Sequence, residues 1–314
     1  MDLNDKIYVA GHRGMVGSAI LRKLQKNNYD NLIFKTHSEL DLTIQSDVDN
    51  FFKREKPNTV FLAAAKVGGI TSKINNPVNY FMENIIIEHN VITSAFENDV
   101  ENLIFLGSAC IYPDNVKQPL KEEYLLTNTL EPANEGYALS KIIGLKACEY
   151  YNKQYGTNYI TVVPPNLYGI NDNFDLKTAH VVPSLICKMH EAKINNKEQI
   201  EIWGTGKQYR ELMFVDDLAD AILYVCQNYS NNSFINIGTG VDYTIRKLAE
   251  TIQEVVGYDG ELFFDTSKPD GMFKRLLDNQ NIKNLGWKSK YSLKEGLKLT
   301  YDWYLKQLGE NYND

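Results

Sequence analysis

Short apolar runs alternate with longer amphipathic ones through the first half of the chain. KIYVAG (6–11), LIFKT (32–36), TVFLAAA (59–65) and NLIFLGS (102–108) are rich in Val, Ile, Leu and Phe. Each is short enough to be a buried strand of a parallel sheet. Helical spacing occupies about 14–27, 43–55 and 77–98, and again 136–155 after the fourth strand, with YITVVP (159–164) as a fifth strand. This alternation predicts right-handed crossovers and an α/β fold built on a doubly wound parallel sheet.

After about residue 165 the rhythm changes. Strand candidates at 201–204, 233–238 and 261–265 are mixed with helical segments near 181–193, 216–229, 244–256 and 292–308. The expected organisation is a first domain over 1–165, with later segments such as about 205–240 returning to it, and a smaller mixed α/β lobe over 166–314. No Gly/Ser linker or charged tract separates the two, so the lobe is expected to pack directly on the first domain.

Composition narrows the class. Over 314 residues, 43% are hydrophobic and 23% charged, the balance of a globular enzyme. Lys+Arg number 33 against 40 Asp+Glu, a net charge of -7, which argues against a nucleic-acid coat. No apolar run approaches the ~20 residues that span a bilayer. The N-terminal MDLNDKIYVAG lacks the basic-then-apolar order of a secretory signal. Cys110, Cys148, Cys187 and Cys226 are scattered without a CxxC pair, as reduced thiols of a cytoplasmic protein are. No metal site, membrane or nucleic-acid partner is expected.

Gly11-His12-Arg13-Gly14-Met15-Val16-Gly17 follows the first strand and opens the first helix. Glycines at this spacing permit a tight turn and close backbone approach, while the helix N-terminus offers N–H groups to a pyrophosphate. In this strand-turn-helix context the first domain reads as a Rossmann-type dinucleotide-binding unit. An acid ending the second strand would select NAD by bonding its ribose hydroxyls. The chain has Lys35 and His37 there instead, with Arg13 in the glycine turn and Glu39 as the first acid. Positive groups near a 2′-phosphate favour NADP(H), with Asp41 directed toward the adenine. The alternative for Lys35 is a solvated charge at a strand end.

Tyr137 and Lys141 lie four residues apart on a predicted helix, on one face. A neighbouring ammonium would lower the phenol's pKa so that it exchanges a proton with a substrate oxygen. Ser108, at the end of the fourth strand, stands where ligands sit in doubly wound sheets and where a hydroxyl can polarise a carbonyl. Glycine turn, Ser and Tyr-xxx-Lys in this order resemble the extended short-chain dehydrogenases/reductases. Cys110 and His180 read in two ways from spacing alone: a thiol and imidazole that move protons beside a ketone, or a buried small hydrophobe and a polar helix start.

The strings AGHRGMVGSAI (10–20), FLAAAKVGGI (61–70), LGSACIYP (106–113), EPANEGYALSKIIGLKACEYYNKQYG (131–156), NLYGINDNF (166–174) and FINIGTGVDYTIRKLAETI (234–252) resemble one branch of that family, the GDP-L-fucose synthases. These are GDP-4-keto-6-deoxymannose 3,5-epimerase/4-reductases, and the resemblance runs from about 6 to 306. It implies an NADPH-binding Rossmann domain, a nucleotide-sugar lobe and a homodimer joined through helices matching 77–98 and 136–155. Ser108, Tyr137 and Lys141 match the reductase triad, Cys110 and His180 the epimerase base and acid. The implied cofactor surface is Gly11, Arg13, Gly14, Met15, Val16, Gly17, Lys35, His37, Asp41, Ala63, Ala64, Ala65, Leu106, Gly107, Lys141, Pro164, Asn166, Leu167 and His180. Lys188, Trp203, Arg210 and Asp270 match positions that hold the GDP-sugar, where a guanidinium can grip a diphosphate.

Four departures stand out. Gly136 replaces a usual proline, Pro165 a threonine, Cys187-Lys188 a pair of arginines facing the diphosphate, and His37 an arginine near the 2′-phosphate. The implied function is NADPH-dependent C4 reduction of a GDP-4-keto-6-deoxy sugar with 3,5-epimerisation. Alternatives are a C4 reductase alone, one acting on a related GDP-4-keto sugar such as a GDP-6-deoxy-4-keto-heptose, and a non-catalytic NADP-binding regulator. A 4,6-dehydratase would carry an Asp-Glu pair where this chain has Ala109-Cys110.

Overall fold

A computed structural model describes residues 1–231, 233–268 and 270–309, the side chains at 70 and 71 excepted. Pro269, next to Asp270, and the tail 310–314 of the expected lobe lie outside the described residues. The first half runs β1 (Ile7–Ala10), α1 (Met15–Lys26), β2 (Leu32–Ile33), α2 (Gln45–Glu55), β3 (Thr59–Leu62), α3 (Ile70–Asn75), α4 (Pro77–Glu97), β4 (Asn102–Leu106), α5 (Glu135–Tyr155) and β5 (Asn158–Val163). The second runs β6 (Asn166–Tyr168), α6 (Val181–Ile194), β7 (Gln199–Trp203), β8 (Tyr209–Phe214), α7 (Val215–Asn228), β9 (Ile235–Asn236), β10 (Asp242–Thr244), α8 (Ile245–Val256), β11 (Glu261–Asp265), β12 (Lys274–Arg275), α9 (Gln280–Asn284) and α10 (Leu293–Leu308).

The main sheet has the order β2-β1-β3-β4-β5-β9 and every pairing in it is parallel. β1 and β3 are buried at all four positions, because helices cover both faces of the sheet. On one face Ile7, Val9, Ile20 and Leu24 pack with Leu218 and Ile222 of α7. On the other, Tyr8, Phe51, Phe52, Val91 and Leu145 draw in α2, α4 and α5. Ion pairs from Arg22 to Asp216 and from Lys23 to Asp220 (2.6 Å) join α1 to α7. β2 and β3 flank β1 on opposite sides, so the strand order reverses there. In such sheets the ligand crevice lies beyond the carboxyl ends of the strands at the reversal, here β1 and β3.

A second, mixed sheet centres on β8, with β10 antiparallel and β12 and β6 parallel to it. A separate parallel pair joins β7 to β11. Leu185, Met189, Leu248, Ile252, Leu297 and Tyr301 of α6, α8 and α10 form the core beneath these strands. A Ser292–Glu295 capping box starts α10.

Several strands are shorter than the sequence predicts, among them β9, two residues long within the expected 233–238. β2 stops at Ile33 because Glu39 accepts from Thr36 N (2.8 Å) and Oγ1 (2.7 Å), bending the chain into a turn. β3 stops at Leu62, before the alanines turn against the glycine loop. β6, β8, β10 and β12 were not predicted. The apolar pattern of β8 is interrupted by Glu211, a buried carboxylate that accepts from the N–H groups of Leu277 (2.8 Å) and Gly240 (2.7 Å).

Candidate active site

Gly11 has φ +86°, and a Cβ there would stand 2.7 Å from Ala64 N. A Cβ on Gly17 would lie 2.1 Å from Gly11 O. Strand end, alanine turn and first helical turn therefore meet backbone to backbone, leaving the crevice floor free of side chains. Gly14 is the N-cap of α1; no side chain caps this helix and its first turn holds no acid, which suits a phosphate. Met15 and Val16 are half-buried beside it, and Arg13 is exposed. Buried Asn84 of α4 clamps the loop after Ala63, Ala64 and Ala65, accepting from Lys66 N (2.7 Å) and donating to Lys66 O (3.1 Å).

At the rim, Lys35 lies 3.7 Å from Glu39, and largely exposed His37 lies 3.7 Å from Asp41. Asp41 accepts from Thr43 Oγ1 (2.7 Å) and N (2.9 Å), bonds that hold its carboxyl below the usual range. One of its oxygens is thus committed to the loop. His12, which sequence reasoning passed over, lies against Phe34 with the rings tilted by 39° and their centroids 4.9 Å apart, its Nδ1 buried and without a hydrogen-bond partner.

The ends of β4 and β5 are joined by bonds from Gly107 N to Val162 O (2.9 Å) and from Ala109 N to Pro164 O (3.2 Å). Leu106 and Pro164 are buried, Leu167 is half-buried and Asn166 is exposed. Ser108 caps the turn Ala109–Ile111, its Oγ accepting from Cys110 N at 3.3 Å. Tyr137, in the first turn of α5, is buried with its phenol bonded to the Ser108 side chain. Hydroxyl, thiol and phenol thus converge at one strand end.

The phenol's pKa departs from the sequence expectation: burial, with the negative fields of Cys110 and Glu88, pushes it up, opposed by the bond to Ser108. Lys141 does not pull it down because its Nζ is held 3.1 Å from Glu88 Oε1, both side chains 2% exposed, and 4.6 Å from the Phe105 ring centroid. Burial in turn pushes Glu88 up to about 7, against the pull of Lys141. The cation lying on the Tyr137 ring is Lys73, 4.2 Å from its centroid. His180 occupies the N-cap position of α6 without a capping bond from its side chain. The residue is exposed, yet the protein atoms packed around its ring and the charge of Lys73 hold it below the ordinary imidazole value.

The second sheet contributes two neighbouring guanidiniums, since Arg210 of β8 and Arg275 of β12 are register partners. Arg210 Nη1 donates to Tyr209 O (2.7 Å) and Met272 O (2.8 Å). Arg275 Nη1 donates to Ala109 O (2.9 Å), and its Nη2 lies 3.6 Å from Glu131 Oε2. Burial and the charge of Arg275 hold Arg210 below its ordinary value. Two cations beside one carboxylate leave positive charge for an anion. Trp203 is 61% exposed, with Nε1 donating to Glu201 Oε1 (2.8 Å). Asp270 accepts from Thr205 N (2.6 Å) and Oγ1 (3.0 Å). Lys188 donates to Glu201 O (3.4 Å), whereas Cys187 is buried with Sγ against Phe174 O, turned into the core and not toward a diphosphate.

Lys73, Glu88 and Arg275 were missed in the sequence. Only Glu88 left a signal there, as a lone acid in the apolar run NIIIEHNVI.

The model of the NAD dependent epimerase/dehydratase family matches residues 7–238. The chain is 52% identical to GDP-L-fucose synthase 1 of Arabidopsis thaliana over 307 residues, covering 98% of this chain and 95% of that protein. A crystal structure of a GDP-6-OMe-4-keto-L-xylo-heptose reductase from C. jejuni is 43% identical, with a TM-score of 0.93 over 98% of this chain and 99% of that one. A GDP-mannoheptose C4 reductase from Campylobacter jejuni, solved with NADP bound, is 44% identical, with a TM-score of 0.89 over 97% and 99%.

Proposed function

Because the chain belongs to the NAD dependent epimerase/dehydratase family, we propose that it inverts C3 and C5 of a GDP-4-keto-6-deoxy sugar and reduces C4 with NADPH. The observation that carries this reading is the convergence of Ser108, Cys110 and Tyr137 at the end of β4. Similarity to the Arabidopsis synthase over nearly the whole chain supports it.

The side-chain-free cradle of Gly11, Gly14 and Gly17 suits a pyrophosphate, with Arg13, Lys35 and His37 available to a 2′-phosphate. The similar mannoheptose reductase holds NADP, and when bound the reduced cofactor supplies the hydride that C4 receives. The protein's own residues handle the protons. The C4 ketone acidifies C3 and C5, Cys110 as thiolate removes a proton there, and His180 returns one to the opposite face. Tyr137 then donates its proton to the C4 oxygen while Ser108 hydrogen-bonds the same atom. A phenol held protonated by burial is the form this reduction consumes, so its raised pKa agrees with an acid role. Arg210 and Arg275 would hold the diphosphate, and exposed Trp203 offers a stacking face.

The molecule is proposed to be a cytoplasmic homodimer. Val78, Met82 and Ile86 on α4, with Leu139, Ile143 and Tyr150 on α5, form an exposed apolar stripe that a second copy would cover. No helix among the described residues is long and apolar enough to cross a membrane.

A second reading, C4 reduction of a GDP-4-keto-heptose without epimerisation, is favoured by the likeness to the two Campylobacter heptose reductases and by Gly136 and Pro165. Incubation with GDP-4-keto-6-deoxymannose and its heptose counterpart, products assigned by NMR, separates the two. Cys110→Ser is expected to abolish deuterium exchange at C3 and C5 while sparing reduction of a pre-epimerised ketosugar. Tyr137→Phe is expected to cut reduction by at least about a hundredfold and to spare exchange. Loss of both activities in each variant would overturn this division of labour.

A further inference from the structure

We propose that Lys73 is a positioning residue of the active site, whose ammonium stabilises negative charge on Tyr137 and opposes positive charge on His180. The proposal rests on the reading above and adds to it a cation from α3 that the resemblance does not supply. Lys73 is 9% exposed, and its Nζ lies over the Tyr137 ring, 4.2 Å from the centroid. With Tyr80, Pro132, Asn134, Gly136 and Tyr137 it lines a cavity of about 190 Å³ beside the phenol.

Its partners decide what its charge can do. Among the described residues no carboxylate pairs with Lys73, whereas the charge of Lys141 is met by Glu88 at 3.1 Å. Lys73 Nζ donates instead to the neutral Asn134 Oδ1 (3.0 Å), and Asn134 Nδ2 donates to Glu131 Oε2 (2.7 Å). Glu131 faces Arg275, which donates to Ala109 O beside Cys110. Lys73 is thus fixed from behind by a polar chain that reaches the thiol-bearing turn, with its charge left unneutralised toward the phenol and imidazole. In a partly desolvated pocket such a charge acts strongly over a few ångströms.

The groups facing Tyr137 are Cys110 after β4, Glu88 of α4 and Ser108. Gly69, the N-cap of α3, packs on the backbone just before His180, where a Cβ would stand 3.3 Å from Thr178 O and 3.6 Å from Ala179 O. That contact brings α3 to the imidazole, and the charge of Lys73 bears on it. Tyr80 of α4 shares the cavity, its hydroxyl 2.8 Å from Ser72 Oγ. Positive charge from Lys73 favours neutral His180, in accord with the lowered imidazole pKa, of which burial is the larger cause.

Lys73→Met keeps the chain length and removes the charge, while Lys73→Arg restores it. In cofactor-free protein, NMR titration of labelled histidines, with His180 assigned by its missing signal in His180→Asn, needs no substrate. The His180 midpoint is expected to move up in Lys73→Met and to return in Lys73→Arg. With NADPH and ketosugar, Lys73→Met is expected to lower kcat for reduction about tenfold at unchanged KM for NADPH. The alkaline limb of C3/C5 exchange, which follows loss of the proton His180 must donate, is expected to move to higher pH, and Lys73→Arg to recover most of the loss. An unmoved His180 midpoint in Lys73→Met would overturn the proposal, as would equal losses in both variants with unmoved pH limbs. A shifted midpoint in a protein that turns over no ketosugar would uphold the role of Lys73 and sink the functional reading instead.

Discussion

Asp172, in the loop after β6, accepts from Asn173 N at 2.7 Å through Oδ1, while Oδ2 is buried without a hydrogen-bond partner. Burial pushes this carboxyl up from 3.8 to about 7. The fold therefore retains a proton that the unfolded chain releases, and the resulting stability is fully present below 3.8 and lost as pH rises through about 7. Asp172→Asn removes that slope, so its thermal midpoint is expected to gain on the parent by a few degrees between pH 5 and pH 8. Parallel melting curves across that range would contradict the assignment. At this scale, residues whose chemistry lies in their type and spacing were legible: Ser108, Tyr137, Lys141 and the three glycines. The charge relations were not. Lys141 is committed to Glu88, 53 positions away in the chain, and Tyr137 meets Lys73 from a six-residue helix that carries no pattern of its own.

α4 and α5 each serve two environments. Their inner faces carry Asn84, Glu88, Tyr137 and Lys141, buried and tied into the site, while their outer faces carry the apolar stripe from Val78 to Tyr150. If a second copy covers that stripe, Ile86→Lys or Ile143→Lys sets an ammonium into an apolar contact. Light scattering is then expected to show a dimer for the parent and a halved mass for either variant; a monomeric parent would remove the proposal. Long elements with a clear period matched their sequence expectations to within a residue or two, as for 77–98 against Pro77–Glu97 and 136–155 against Glu135–Tyr155. The short strands β6, β10 and β12, of two or three residues each, have no room for a period. They exist because β8 offers them hydrogen bonds, a tertiary cause that local pattern does not carry.

Over the whole molecule, one chain excursion defines the site. The chain leaves the main sheet after β5, returns to it through α7 and β9, and leaves again. The second sheet thereby reaches the first, and β12 delivers Arg275 to the turn that carries Cys110. A net charge of -7 coexists with the cations Lys73, Arg210 and Arg275, which Glu131 alone does not neutralise. On the function proposed, that distribution would draw an anionic nucleotide-sugar to the crevice and not to the surface at large. The central claim is that one pocket moves protons at C3 and C5 and receives hydride at C4. It is tested most directly with GDP-4-keto-6-deoxymannose, NADPH deuterated at the transferred position and ordinary water, and then with unlabelled NADPH in D2O. The account predicts a product deuterated at C4 alone in the first case, and at C3 and C5 but not C4 in the second. A product carrying no solvent deuterium at C3 or C5, or no turnover of NADPH with this sugar, would contradict it.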